Sequence, residues 1–267
     1  MRVLIRTDLG GLHGMGHAVR MRNVALALTA HGVDVGFLTS TPDTLRPFVE
    51  PFYCDNGPVM AACIAGDVLV IDTKASDWAN NGALLWRARD AGVRVVRIDH
   101  PYAVRRTCDL LIGPCVHWEP EIRRRLRHEF GERFLYGWDY VMLDPAITEQ
   151  QPIPYSVREQ GPIVFCAGGS DPTEWLEQMY MWSDELSLDV PCLFCFGAYS
   201  SGTLSKRYVL QGGESLCTSG NRYLAPFHPH YLQQAALVIG AFGVTAYECV
   251  WYHTPLLCFP ARSEDVE

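Results

Sequence analysis

A chain of 267 residues that is 48% hydrophobic and 19% charged has enough apolar mass for two domains of ordinary size. Its formal charge of -8 disfavours wholesale binding to a phosphate backbone, which draws on lysine and arginine. No apolar run approaches the roughly 18 residues that span a membrane, and the N-terminus opens on a strand pattern rather than a charged stub with an apolar signal region, so a cytoplasmic protein without a membrane span is expected.

In chain order, "RVLIR" predicts a first strand, followed by the glycine-rich stretch "GGLHGMGHAVR" (10–20) and a helix near Val19 to His31. Strand-like runs recur in "VDVGFLTS", "DVLVID", "VRVVRID" and "DLLIGP", with another helix near Asn81 to Ala91. Alternation of this kind marks a parallel sheet covered by helices. "EIRRRLRHEF" puts Arg123, Arg124, Arg125 and Arg127 on one helix, with Arg105 and Arg106 near in sequence. The bland reading is a solvated face; the sharper one is a local nucleic-acid patch.

A proline-rich polar stretch, "LDPAITEQQPIPYSVREQGP", reads as a linker. The scheme then repeats, with strands in "PIVFCAGG", "VPCLFCFG", "ALVIGA" and "PLLCFP" and helices near Glu174 to Leu186, Pro229 to Ala236 and Thr245 to Tyr252. The expected class is α/β: two tandem Rossmann-like domains, 1–148 and 161–267 with a linker at 149–160, their parallel sheets facing across a cleft. The last strand is followed only by "PARSEDVE", so the second domain is expected to be short at its C-terminus.

Ten cysteines raise the question of disulfides or zinc. Cys166, Cys192, Cys195, Cys249 and Cys258 lie inside apolar patterns, where a reduced cysteine packs as a small hydrophobe. Cys192 and Cys195 have zinc-like spacing, but no second pair matches it.

The chemistry concentrates at strand-to-helix turns: "GGLHGMGHAVR", "IDTKASDW", "CAGGSDPTEW" and "GAFGVTAYE". Glycine admits positive φ and close approach of a ligand to the backbone, and a helix start holds anions through free N–H groups and its dipole. Two such turns in the second half, at Gly168–Asp171 and Gly243–Thr245, point to a diphosphate. His17 sits on a first helical turn, where the dipole favours the neutral imidazole and hence a general base; the alternative is a histidine that caps or packs the turn. His13 reads as a loop residue. Arg20 either pairs with an acidic neighbour or holds a substrate anion.

Other chemistries lack their signatures. A dinucleotide fingerprint would need a small residue at Val19 and a shorter turn, and neither G-x-x-x-x-G-K-[ST] nor G-x-S-x-G occurs. No D-x-D is present to ligate a metal, so metal-independent chemistry without a cofactor is expected.

Five segments, "MRVLIRTD…GMGHAVRMRNVALAL", "VVRIDHPYAVRRTCDLLIGP", "YGWDYVMLDP", "VFCAGGSDPT" and "VTAYECVWYHTPLLCFP", together resemble the UDP-sugar hydrolase family of the pseudaminic acid pathway along nearly the whole chain. That family belongs to the GT-B superfamily of nucleotide-sugar enzymes. The second half is also similar to the lipid II N-acetylglucosaminyltransferases, likewise GT-B. The resemblance implies that His17 activates the attacking water, that Gly168, Gly169 and Ser170 border the nucleotide cleft, and that Gly243, Val244 and Thr245 offer amides to the diphosphate. It further implies that Glu248 holds the ribose hydroxyls and that the backbone near Phe227 and His228 reads uracil. Gly14, Gly16, Arg20 and Asp72 would line the substrate side.

The chain departs from the hydrolase pattern after the central strand, where an aspartate-histidine-tyrosine turn is replaced by Asp72, Thr73 and Lys74. Relatives also continue beyond the equivalent of Glu267 with a helix and hexose contacts. Three readings follow. The first is a metal-independent inverting glycosyltransferase using a UDP-sugar and a hydroxyl acceptor: a saccharide, a lipid-linked glycan, or a hydroxylated DNA base met by the arginine patch. The second is the hydrolase itself, and the third a non-catalytic nucleotide-sugar binding protein.

Overall fold

A computed structural model describes residues 1–9, 15–45, 49, 53–55, 66–73, 78–103, 106–114, 118–169, 171, 174–186, 188–200, 202–210 and 216–259. The chain divides into two compact units, one running to Met142 apart from Gly14–Gly16, the other from Leu143 onward.

In the first unit the order is β1 (Arg2–Arg6), α1 (Gly16–Ala30), β2 (Asp34–Leu38), α2 (Pro42–Leu45), β3 (Tyr53–Asp55), β4 (Val68–Ile71), α3 (Trp78–Asp90), β5 (Arg94–Ile98), β6 (Leu110–Gly113), α4 (Pro120–Phe130) and β7 (Phe134–Tyr136). The strands form one parallel sheet in the order β3-β2-β1-β4-β5-β6-β7. Parallel strands covered on both faces read as continuous apolar runs, and Leu69, Val70 and Ile71 are all buried. Two helices end by the same local rule. After α1, Gly32 takes a φ of +74° and the Val33 amide donates to the Leu28 carbonyl at 3.1 Å; after α3, Gly92 takes +67° and Val93 donates to Ala88 at 2.9 Å. This six-to-one bond around a left-handed residue closes a helix and turns the chain directly into the next strand. Leu69, Ile71, Val95 and Leu111 pack with Leu85 and Ala88 of α3 and Leu126 and Phe130 of α4.

The second unit runs α5 (Pro145–Thr148), α6 (Tyr155–Arg158), β8 (Ile163–Cys166), α7 (Trp175–Glu185), β9 (Cys192–Phe196), α8 (Thr203–Leu210), β10 (Leu216–Ser219), β11 (Arg222–Pro226), α9 (Pro229–Gln234), β12 (Leu237–Ala241), α10 (Val244–Trp251) and β13 (Leu256–Phe259). Its sheet order is β10-β11-β9-β8-β12-β13, parallel except where β10 meets β11. Side-chain alternation splits the core: Val164, Cys166 and Cys195 pack with Leu232, Cys249 and Tyr252, while Phe165 and Phe194 pack with Leu176, Met179 and Leu204. The stretch expected as a linker carries α5 and α6. It is tied to this unit by buried Arg158, which donates to the Gln233 carbonyl at 3.2 Å and to Thr254 Oγ1 at 2.7 Å.

The elements not anticipated are short or lie at sheet margins: β3, β7, α8 and the β10–β11 hairpin. Cys108, Cys166, Cys192, Cys195 and Cys249 are buried free thiols, but Cys258, expected to pack inside, is exposed on edge strand β13. No helix among the described residues is long and apolar enough to cross a membrane.

Candidate active site

Strand order reverses between β1 and β4 in the first sheet and between β8 and β12 in the second. At such a switch point neighbouring connections leave in opposite directions and open a crevice at the carboxyl edge, where ligands of open α/β sheets bind. The candidate residues fall at these two edges, and each unit has its own chemistry.

At the first edge, β1, β4 and β5 deliver Asp8, Asp72 and Asp99, and the opening turn of α1 delivers His17, with Arg20 one turn later. His17 Nδ1 lies 2.6 Å from Asp72 Oδ1. Arg20 grips Asp72 with two nitrogens, Nε to Oδ2 at 2.5 Å and Nη2 to Oδ1 at 2.7 Å, and donates from Nη1 to Asp99 Oδ2 at 2.9 Å. Burial disfavours an ionised Asp72, but Arg20 and then His17 outweigh it and hold the carboxyl at about 2. Burial likewise disfavours the charged Arg20, and Asp72 and Asp99 push it above the usual arginine range. An ionised carboxylate only accepts, so Nδ1 carries a ring proton towards Asp72, and in the neutral ring the lone pair lies on Nε2. The His17 side chain retains about a quarter of its exposure (23%), whereas that of Asp72 has none.

These contacts correct two expectations. Asp72, expected on the substrate side, has a fully buried side chain with both oxygens engaged by His17 and Arg20. Arg20 takes the acidic-neighbour option, its three nitrogens committed to two carboxylates. Asp99 escaped notice, although it stands in the quoted "VVRIDHPY". Its φ of +53° is uncommon for a non-glycine residue and marks a backbone held against its preference. Beside it, His100 is buried and pushed down to about 4, by burial first and then by Arg97. Asp8 Oδ1 takes bonds from Arg6 at 2.5 Å and from the Ser40 amide at 2.7 Å, pinning the end of β1. Gly16 opens α1, while His13, Gly14, Lys74 and Arg105 lie outside the described residues.

At the second edge, β8 and β12 are adjacent and parallel, so the turns after Cys166 and Ala241 leave the sheet side by side. Gly168 has a φ of +89°, and the Gly169 carbonyl accepts from the Tyr199 amide at 3.0 Å. Here too one expectation changes. Asp171 turns its own carboxylate onto the start of α7, accepting from the Trp175 and Leu176 amides at 2.9 and 3.0 Å. That helix start already holds an anion, the protein's own. The start of α10 has no such side-chain cap, leaving first-turn amides at Val244 and Thr245 without helical acceptors. Of the two turns expected to hold a diphosphate together, the first is capped by Asp171 and the second has no side-chain cap among the described residues. Ser170 lies outside the described residues.

Glu248, one turn into α10, is buried, and its Oε2 has no hydrogen-bond partner among the described residues. Burial, and secondarily Asp144, push its carboxyl up to about 7. A buried acceptor left unmade is costly. Nearby in the fold, β11 runs into α9 through Phe227 and His228. The Phe227 amide donates to Phe196 at 2.9 Å, and the His228 carbonyl accepts from Tyr231 at 3.0 Å. Among the described residues the Phe227 carbonyl and the His228 amide make no backbone hydrogen bond, which leaves one acceptor beside one donor. His228 Nδ1 accepts the His230 amide at 3.2 Å and caps α9.

The arginines of α4 are largely committed. Arg124 pairs with Glu121 at 3.4 Å and Arg125 with Glu129 at 3.9 Å, while Arg123 and Arg127 lie over the rings of Tyr136 and Phe134. Among the described residues no group of three His, Cys, Asp or Glu side chains is arranged to hold a metal.

No family model matches the chain, and no curated protein matches it in sequence. Solved structures do match in shape. MurG from Acinetobacter baumannii is 13% identical with a TM-score of 0.56, over 99% of this chain and 81% of that one. UDP-GlcNAc 2-epimerase from Neisseria meningitidis, bound to UDP-GlcNAc, is 12% identical with a TM-score of 0.56, over 100% and 85%. An alpha-glucosyltransferase in complex with UDP and a 13-mer DNA containing a HMU base is 10% identical with a TM-score of 0.54, over 98% and 81%. The fold is GT-B. Its neighbours in shape are enzymes of nucleotide sugars, which differ among themselves in reaction and acceptor.

Proposed function

We propose that this protein is an inverting, metal-independent glycosyltransferase that takes a UDP-sugar as donor, with His17 as general base. The observation that carries the reading is the His17–Asp72 pair, because it supplies a ring nitrogen free to accept a proton at a sheet edge where ligands bind. The second unit supports the donor half of the proposal. Glu248 offers a buried acceptor to two ribose hydroxyls, the Phe227 carbonyl and His228 amide match a uracil edge, and the open start of α10 suits a diphosphate.

The reaction then balances without a metal. The acceptor O–H gives its proton to His17 Nε2 as its oxygen bonds the anomeric carbon. The bond from that carbon to the diphosphate oxygen breaks on the opposite face, and UDP leaves with the electron pair. Amides at a helix start stabilise that developing charge. Asp72 stabilises the imidazolium that forms. The acceptor belongs to the hydroxyl class, namely a saccharide, a lipid-linked glycan or a hydroxylated DNA base.

The test is a panel of UDP-sugars incubated with and without hydroxyl acceptors, read by UDP release and by proton NMR of the anomeric centre. Acceptor-dependent release with inversion is expected. Equal release in buffer alone would overturn transfer in favour of the hydrolase, which the motif order around His17 resembles. Inversion at the sugar's C2 without net release would indicate epimerisation, and binding without turnover a non-catalytic nucleotide-sugar protein.

A further inference from the structure

We infer that Arg20 and Asp99 are positioning residues for this reaction, a charge relay that sets the proton on His17 without touching substrate; the inference rests on His17 acting as the base. A carboxylate bonded to an imidazole serves two opposed ends. It fixes the ring and the tautomer, but its charge also favours the imidazolium, which is useless as a base. At this edge the opposition is resolved by a third group. The Arg20 guanidinium lies side-on to Asp72, 2.5 and 2.7 Å from its two oxygens, and its Nη2 comes within 3.2 Å of His17 Nδ1 itself. The carboxylate therefore keeps its hydrogen bond to the ring while its charge is offset from behind.

Asp99 then meters that offset. It holds Arg20 Nη1 at 2.9 Å from a backbone φ of +53°, a left-handed conformation that is uncommon outside glycine but that aspartate tolerates. Among the described residues, three charged groups are joined to the ring by the contacts above. Arg20 comes from α1 itself, Asp72 from the end of β4 and Asp99 from the end of β5. The adjacent Arg6 and Asp8 at the end of β1 satisfy one another at 2.5 Å, and His100 follows Asp99 in the chain. The Arg20 side chain is 14% exposed and that of Asp99 23%, so both act from positions largely shielded from water.

The relay makes opposite predictions for its two members. With Arg20→Met the uncompensated Asp72 holds the proton on His17 to higher pH. The acid limb of the kcat/KM profile moves up by about one pH unit, roughly tenfold less active enzyme on that limb, and KM for the UDP-sugar stays within about twofold. Asp99→Asn frees more of the guanidinium charge for Asp72 and moves the same limb down. Limbs that stay in place in both variants, or a raised KM with unchanged kcat for Arg20→Met, would overturn the inference. If Arg20→Met does not fold, the downward shift in Asp99→Asn decides alone. NMR titration of the His17 ring in wild type and Asp99→Asn reads the same displacement without turnover. A wild type that releases no UDP from any donor therefore defeats the reaction reading, while an unmoved titration defeats the relay.

Discussion

At the scale of single residues, two carboxylates in similar helical or strand-end positions are driven in opposite directions by their neighbours. Asp72, wholly buried but gripped by Arg20, is held at about 2; Glu248, buried with one oxygen unpartnered, rises to about 7. In the proposed reaction the first orients His17 and the second accepts from the ribose hydroxyls. His17→Ala should lower kcat by on the order of 10²–10⁴, the usual worth of a general base, with little change in UDP affinity measured by calorimetry. For Glu248 the sign follows from linkage. Between about 4.5 and 7 the folded chain keeps a proton that the unfolded chain has released, so stability falls as pH rises through that window. The loss is on the order of 3 kcal/mol. Glu248→Gln should flatten this slope in thermal melts from pH 4 to 8 and should weaken UDP binding most above pH 7, where the ionised acceptor is lost. A slope unchanged in the variant would assign the pH dependence to another group.

At the scale of elements, two helix starts that look alike in sequence differ in function because one is self-capped. "GGSDPTEW" and "FGVTAYE" both join strand to helix through glycine, yet Asp171 caps the first and no side-chain cap is made at the second among the described residues. The backbone at Gly243 is extended, with a φ of 176°, and a Cβ there meets nothing within 4 Å. Gly243→Val should therefore melt near the wild-type temperature while its branched side chain covers the amides; the expected result is a much reduced thermal shift on adding UDP. A full shift would remove the α10 start from the site. Gly168 is the contrasting case, since its φ of +89° penalises any side chain. Gly168→Ala should cost about 1 kcal/mol or more in urea unfolding.

At the scale of the whole molecule, the proposed reaction divides its work between the two units, with nucleotide binding assigned to the second and proton transfer to the first. UDP alone should raise the melting temperature by mass action, about 2.7 kcal/mol of stabilisation at a hundredfold excess over Kd. Hydrogen exchange should slow first at 227–230 and 243–250. Protection confined to α1 would reverse the assignment of roles. With a formal charge of -8 and the α4 arginines paired or laid on aromatic rings, weak duplex DNA retention is expected at physiological salt.

The sequence alone determined the alternation of strands and helices, the two-sheet plan, the glycine turns and the place of His17 on a first helical turn, whereas Glu248 was singled out only by resemblance to a known family. The former are local properties, written in apolar runs of strand length and in the glycines that end helices or open turns. Only tertiary structure decided what Asp72, Arg20, Asp99 and Asp171 do, because each finds its partners through chain reversals. Arg20 meets carboxylates 52 and 79 positions away. The short marginal strands β3, β7 and β10 were hidden for the same reason: their place is fixed by the sheet edge they extend, and a few residues carry too little periodicity to announce it.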